Sequence, residues 1–311
     1  MYSVRPWTDS DTGTDREISQ AIYPEYQEEP NHPAWFPAQQ LGAPREVSSR
    51  YVAVDNQTGH RLAYATLWEL RPRRYRFDLA VRPAAQRQGI ATQLLTQITT
   101  DAQQLRATGL QARVRDDKPE ALEFIRRRGF LESHRMGAYR IDFARAATAH
   151  QYQQAFTQLR DRGLEVTNLG ALRERDPHYL DRFHQLYSAA RDAWPDPDPD
   201  PSGPTPVPFE RLKSWLDEVR LPDAFIIATH RQRYIAFTSF FAIGTAVHPE
   251  YRRQGIATLL KAGSIAGAQH RGLLGQTTST ASPAMQSVLT KLGYRRTWSE
   301  IRLIRELRDE T

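Results

Sequence analysis

The residues best suited to chemistry in this sequence lie in one short stretch that occurs twice. The first copy is Gln86-Arg87-Gln88-Gly89-Ile90-Ala91-Thr92, and the second is Arg252-Arg253-Gln254-Gly255-Ile256-Ala257-Thr258. The two glycines stand 166 positions apart, and aligning Val81–Leu94 with Val247–Leu260 on that offset gives nine identities in fourteen positions. So long a period points to a duplicated domain, since solenoid repeats recur every 20–50 residues. In both copies a β-rich run ends at the valine and an apolar run of helical period follows the glycine. The first N–H groups of a helix lack an intrahelical partner and, with the helix dipole, attract phosphate. Gly89 and Gly255 let the backbone approach an anion, and Arg87, Arg252 and Arg253 can add charge-assisted hydrogen bonds. A single copy would also fit a glycine that merely starts a helix; two copies in matching contexts weaken that alternative. Neither copy is a P-loop or a G-x-G-x-x-G dinucleotide fingerprint.

Other chemistries find little support. The 311 residues include no cysteine, which excludes disulfides, thiolate metal sites and cysteine nucleophiles. The nine histidines form no His-Glu-x-x-His pattern, so no metal site is expected. No Gly-x-Ser-x-Gly is present. Asp78, three residues before Val81, is the candidate general base, although a solvated or salt-bridged strand residue is the slightly favoured reading; Gly244 holds the matching place before Val247. Glu69, Tyr75 and Tyr139 are weaker candidates. The net charge of +6 and pI of 9.6 favour an anionic ligand. The clusters Arg71–Arg76 and Arg126–Arg128 could serve one, or simply face solvent. Charge alone supports nucleic-acid binding, and none is expected.

These residues must be positioned by two domains, expected at 1–146 and 163–311 with a Gln-rich connector helix over 147–162. Within each, several strands precede a strand–glycine turn–helix unit, and strand–helix–strand follows. That order describes a mixed α/β domain with an antiparallel start and a parallel crossover. Expected strands in the first half are Tyr2–Arg5, Tyr51–Asp55, Arg61–Leu70, Tyr75–Val81, Leu110–Val114 and Tyr139–Phe143, with helices from Asp15 to about Tyr26, from Ile90, and over Pro119–Arg128. Asn56-Gln57-Thr58-Gly59 reads as a hairpin turn. The second half has a shorter hairpin: Ile235 to Val247 spans 12 residues where Leu62 to Val81 spans 19. Its 192–208 stretch, alternating Asp and Pro, is expected as an extended loop that could attract a cationic amine or lie passively on the surface. The amino-terminal residues lack an apolar signal core and no apolar run reaches the ~18 residues of a membrane span, so a cytoplasmic chain, monomeric or homodimeric and without membrane contact, is expected.

The pattern Val-x-Pro-x-x-(Gln/Arg)-x-x-Gly-x-Ala before an amphipathic helix resembles motif A of the GCN5-related N-acetyltransferases (GNAT family). The helices ending at Gly129-Phe130 and Gly293-Tyr294 are similar to the family's motif B. The resemblance covers both halves and implies two tandem GNAT-like domains, each with a mixed central sheet and a splayed parallel strand pair. By that resemblance Gln86, Arg87, Gln88, Gly89, Ile90, Ala91 and Thr92, with Arg252, Arg253, Gln254, Gly255, Ile256, Ala257 and Thr258, bind the pyrophosphate of acetyl-CoA. Val81 and Val247 would pair by backbone with its pantetheine arm. The implied activity is acetyl transfer to the amine of a small molecule or a peptide N-terminus. The family often places an acidic tyrosine four residues before the motif B glycine; here Ile125 and Leu289 stand there. Its cofactor-contacting asparagine is replaced by Ser282 in one half and by the Asp116-Asp117 loop in the other. One half could therefore be silent, and a non-catalytic acyl-CoA-binding regulatory protein is the alternative.

Overall fold

A computed structural model describes residues 1–24, 47–143, 149–191, 208–217, 219, 222–240 and 244–307. The 192–208 loop expectation falls outside these residues except for Pro208. The chain forms two compact units, Met1–Arg135 with Ser299–Thr311, and Met136–Trp298. These borders differ from breaks at 146 and 163, because both fall inside strands rather than in a connector.

The first unit begins with β1 (Tyr2–Pro6), α1 (Thr14–Ile22), β2 (Val47–Asp55), β3 (Arg61–Arg71) and β4 (Arg74–Val81). These strands pair antiparallel in the order β1–β2–β3–β4. The expected β2–β3 turn forms because Asp55 Oδ1 accepts from the Gln57 and Thr58 amides at 2.9 and 2.8 Å. Then come α2 (Ile90–Gln104), β5 (Gly109–Arg115), α3 (Pro119–Arg126) and β6 (Leu131–Asp142). The apolar stripe Ile90, Leu94, Leu95, Ile98 and Ala102 of α2 is buried on Ala63, Ala65, Leu67, Phe77 and Val81. Each large member of that stripe contributes roughly 1.5–3 kcal/mol.

The second unit holds α4 (Ala149–Asp161), β7 (Glu165–Asn168), α5 (Leu169–Arg175), α6 (Tyr179–Arg191), α7 (Phe209–Asp217), β8 (Ile226–His230), β9 (Arg233–Thr238) and β10 (Thr245–Val247). Asn168 caps α5 by accepting the Ala171 amide at 2.8 Å. The strands run β7–β8–β9–β10, all antiparallel. After α8 (Ile256–His270) follow β11 (Gly275–Thr280), α9 (Pro283–Lys291) and β12 (Arg295–Glu306).

The last strands are exchanged. Residues 300–306 of β12 pair antiparallel with 109–115 of β5 in the first unit. Residues 137–142 of β6 pair antiparallel with β11 in the second. Sequence order suggested that each half closes on its own final strand; the hydrogen-bonding pattern gives that strand to the other unit.

Candidate acetyl-CoA site

The two glycine turns adopt one backbone conformation. In the first, a single 3-10 turn (Pro83–Ala85) leads to extended Gln86, left-handed Arg87 (φ 63°) and left-handed Gly89 (φ 84°), the N-cap of α2. In the second, Pro249–Tyr251 leads to extended Arg252, Arg253 (φ 61°) and Gly255 (φ 77°), the N-cap of α8. The hydrogen bonds repeat as well. Gln86 Nε2 donates to Val81 O at 3.2 Å, and Arg252 Nε to Val247 O at 3.1 Å. The Arg82 and His248 amides donate to Leu62 O and Ile235 O at 2.8 and 2.7 Å. No side chain caps either helix. Thr92 and Gln93 donate to Gly89 O at 3.0 and 3.1 Å, and Leu259 to Gly255 O at 3.2 Å, so the amides between remain aimed out of the helix start.

Around each turn the side chains divide. Ile90 and Ile256 are core residues, so only their backbones face the cradle. Gln86, Arg87, Gln88, Gly89 and Thr92 are exposed, as are Arg253, Gln254 and Gly255. Ala91, Arg252, Ala257 and Thr258 are half-buried. The carbonyls of Val81 and Val247 already accept a side-chain donor, which anchors the turn to its strand. Three charged groups join the cradles from distant elements; Arg128 belongs to the cluster singled out in the sequence, whereas Glu120 and Arg162 escaped sequence reasoning. Arg128 Nη2 donates to Thr92 Oγ1 at 2.8 Å while its guanidinium lies 3.6 Å over the Phe124 ring. Glu120 pairs with Arg87 at 3.2 Å. Arg162 Nη1 donates to Gln254 O at 2.6 Å.

Beside the first cradle the sheet opens. β4 and β5 run parallel, yet they pair only from Arg74↔Gly109 to Arg76↔Gln111. Beyond, β4 stays on β3 to Val81 while β5 stays on β12 to Arg115. The two strands therefore splay, leaving a wedge that ends at the cradle. In the second unit β10 pairs with β9 and β11 with β6, and no β10–β11 ladder forms among the described residues.

A family model described as the acetyltransferase (GNAT) family matches residues 16–130 and 183–294. The chain belongs to the acetyltransferase (GNAT) family. A GCN5-related N-acetyltransferase from Sphaerobacter thermophilus is similar in fold, with TM-score 0.74 at 14% identity over 99% of this chain and 96% of that one. So is a tandem GNAT protein from the clavulanic acid biosynthesis pathway, with TM-score 0.66 at 17% identity over 98% of both chains. No curated protein matches the sequence. These likenesses establish the tandem GNAT fold.

The remaining GNAT candidate positions are placed as follows. Asp78 Oδ2 accepts from Trp68 Nε1 at 3.1 Å and from Arg76 Nη2 at 3.2 Å, and its side chain keeps 37% exposure. It lies on the sheet face opposite α2, with Tyr64, whose hydroxyl is within 3.3 Å of Ser19 Oγ. Burial first, then the Asp78 charge, push that phenol well above its ordinary range. Strand alternation on β3 could have pointed to Tyr64. Tyr75 is instead a core side chain on the α2 face, Tyr139 is buried in the second unit, and Glu69 is exposed on β3. Ile125 and Leu289 are core residues. Ser282 is the N-cap of α9, accepting the Met285 amide. Asp116 accepts the Ser299 amide at 2.7 Å, and Asp117 pairs with Arg115. These three thus have structural partners.

Among the described residues the second unit has no counterpart to the distal half of the hairpin. The β9–β10 ladder runs from Ala236↔Val247 to Thr238↔Thr245. The β3–β4 ladder continues past the matching Ala65↔Leu79 pair to Arg71↔Arg74. Gly244, in the place of Asp78, instead bonds Ser239 through its carbonyl at 2.9 Å. His248 Nε2 lies 2.8 Å from Arg233 Nη2, and burial followed by that arginine lowers its imidazole pKa. Among the described residues no three His, Cys, Asp or Glu side chains group to hold a metal, and no helix is long and apolar enough to cross a membrane.

Proposed function

We propose that the protein is an acetyl-CoA-dependent N-acetyltransferase acting on the amine of a small molecule or a peptide N-terminus. The observation that carries this reading is the matched pair of cradles, the first standing beside a splayed parallel strand pair. The donors suit a pyrophosphate: outward amides at a helix start, glycines with φ of 84° and 77°, and arginine at each turn. Gln86–Thr92 and Arg252–Thr258 would hold it, and the β4–β5 wedge would take the pantetheine arm along Val81. When bound, acetyl-CoA supplies an activated thioester: the amine lone pair forms the C–N bond, the C–S bond breaks, the amine loses a proton and the thiolate gains one.

The chain's own contributions follow from position. The amides of α2 neutralise phosphate charge and fix register along β4. Asp78, half-buried on the face opposite α2 and oriented by Trp68 and Arg76, would accept the amine proton directly or through water. The second unit has no carboxylate at the matching position, so catalysis is assigned to the first unit and cofactor binding to both. A cytoplasmic protein without nucleic-acid or membrane partners is the matching setting.

A binding-only role is the second reading, favoured by Ile125 and Leu289, which place core aliphatics where the family's acid stands. Thiol release from acetyl-CoA over a panel of amines separates the two. Turnover above hydrolysis supports transfer; tight binding with no amine-dependent release supports the regulatory role. Gly89→Glu and Gly255→Glu, titrated with CoA by calorimetry, should each remove one site, and unchanged stoichiometry would show that the altered half never bound it.

A further inference from the structure

On the face of the first unit's sheet opposite α2, β4, β5 and β12 carry five charges that act on one another. They are Arg76, Asp78, Arg113, Glu300 and Arg302. The group sits where the β4–β5 ladder stops, since Arg76↔Gln111 is its last pair. Glu300 is shared between Arg302 at 3.2 Å and Arg113 at 3.7 Å. Asp78 accepts from Arg76 through Nη2, at 3.2 Å, beside its bond from Trp68. Among the described residues of this group three guanidinium groups thus face two carboxylates, an excess of one positive charge.

That excess is held in place at a cost. The Arg76 side chain is only 5% exposed, and burial pulls the guanidinium pKa of both Arg76 and Arg302 below its ordinary value. Among the described residues Arg76 Nε and Nη1 are buried without a hydrogen-bond partner, and Arg113 Nε, also buried, reaches Glu300 only at the 3.7 Å of an ion pair. Leaving such donors unpaired is expensive for a charged group. The group reaches the surface at Arg113 and Asp78, 26% and 37% exposed, on the strands that part to form the wedge.

We infer that the acceptor amine carries a carboxylate, and that Arg76 and Arg113 receive it at the closed end of the β4–β5 wedge. One added negative charge balances the group, and a carboxylate can accept from both guanidinium groups at once. The amine end of the acceptor then lies toward Asp78. The acceptor class is therefore an amino acid or another amine with a free carboxylate nearby. This rests on the transferase reading for the first unit.

The test uses the full chain with pairs of probes, each amino acid and its primary amide. Binding is measured by calorimetry with the chain saturated in CoA, and thiol release with acetyl-CoA. The amide has the less basic amine, so chemistry alone favours it and a preference for the acid reports the arginines. The acid of a productive pair should bind and turn over roughly tenfold or more better than its amide, the scale of one charge-assisted bond. Arg113→Gln should erase that preference and Arg113→Lys restore part of it. Amides bound and acetylated as well as acids, or Arg113→Gln weakening both alike, would overturn the inference while leaving the transferase reading intact. Acid-selective binding lost in Arg113→Gln, without thiol release from any amine, would instead remove the transferase reading and keep the carboxylate site. Absence of binding by every acid would overturn the site itself.

Discussion

Alanine at Gly89 or Gly255 isolates what the cradles do. Both glycines have left-handed φ, 84° and 77°, so any L-residue there costs about 1–2 kcal/mol. Steric cost within the protein is small. A Cβ at Gly255 meets nothing within 4 Å, and one at Gly89 meets only Tyr2 Oη at 3.6 Å, an ordinary contact. Gly59 and Gly272 serve as controls, because they share positive φ (71° and 75°) and open surroundings but lie outside the glycine turns. All four substitutions should lower the melting temperature comparably, by roughly 2–8 °C given about 2–4 °C per kcal/mol for units of this size. Only the cradle variants place a methyl group where phosphate oxygens must approach the helix amides. Losing one such charge-assisted bond is worth about 1.5–3 kcal/mol, or roughly ten- to 150-fold in CoA affinity at the altered site. Calorimetric titration with CoA beside thermal melts reads both effects. Equal loss of affinity in Gly59→Ala and Gly89→Ala, or none in the cradle variants, would refute the assignment of these amides to phosphate.

Other perturbations have equally definite outcomes. Arg162→Ala removes the 2.6 Å bond to Gln254 O and should weaken CoA binding at the second cradle severalfold while sparing the first. Glu120→Gln frees Arg87 from its 3.2 Å ion pair and should tighten CoA binding at the first cradle, with a steeper salt dependence. Lys261, on α8, is 3% exposed, and burial pulls its ammonium down to about 8. The folded form then binds fewer protons than the unfolded one between pH 8 and about 10.4, so stability should rise with pH across that window. Lys261→Met should stabilise the second unit at pH 7 by up to about 3 kcal/mol and flatten that rise, as read from urea unfolding at several pH values.

Local order was legible in the sequence because it depends on short-range chemistry. The glycine turns, the helices after them, the Asn56–Gly59 turn and the β2–β3–β4 run follow from residue type and spacing along a few positions. The duplication made both cradles visible, and the missing residues between Ile235 and Val247 foretold the shortened second hairpin. The exchange of β6 and β12 was hidden, because edge partners are chosen by long-range pairing and not by strand propensity. The same holds for side chains at the site. Tyr75 and Tyr139 went into cores because strand alternation and packing, rather than their hydroxyls, decide their direction.

The sequence by itself determined the tandem family, the two glycine turns that start α2 and α8, and the lack of cysteine chemistry. The tertiary structure alone decided where β4 and β5 part and which charges meet there. Arg76, Arg113 and Glu300 come from positions far apart in the chain, and only the exchanged strand beside β5 brings them onto one face.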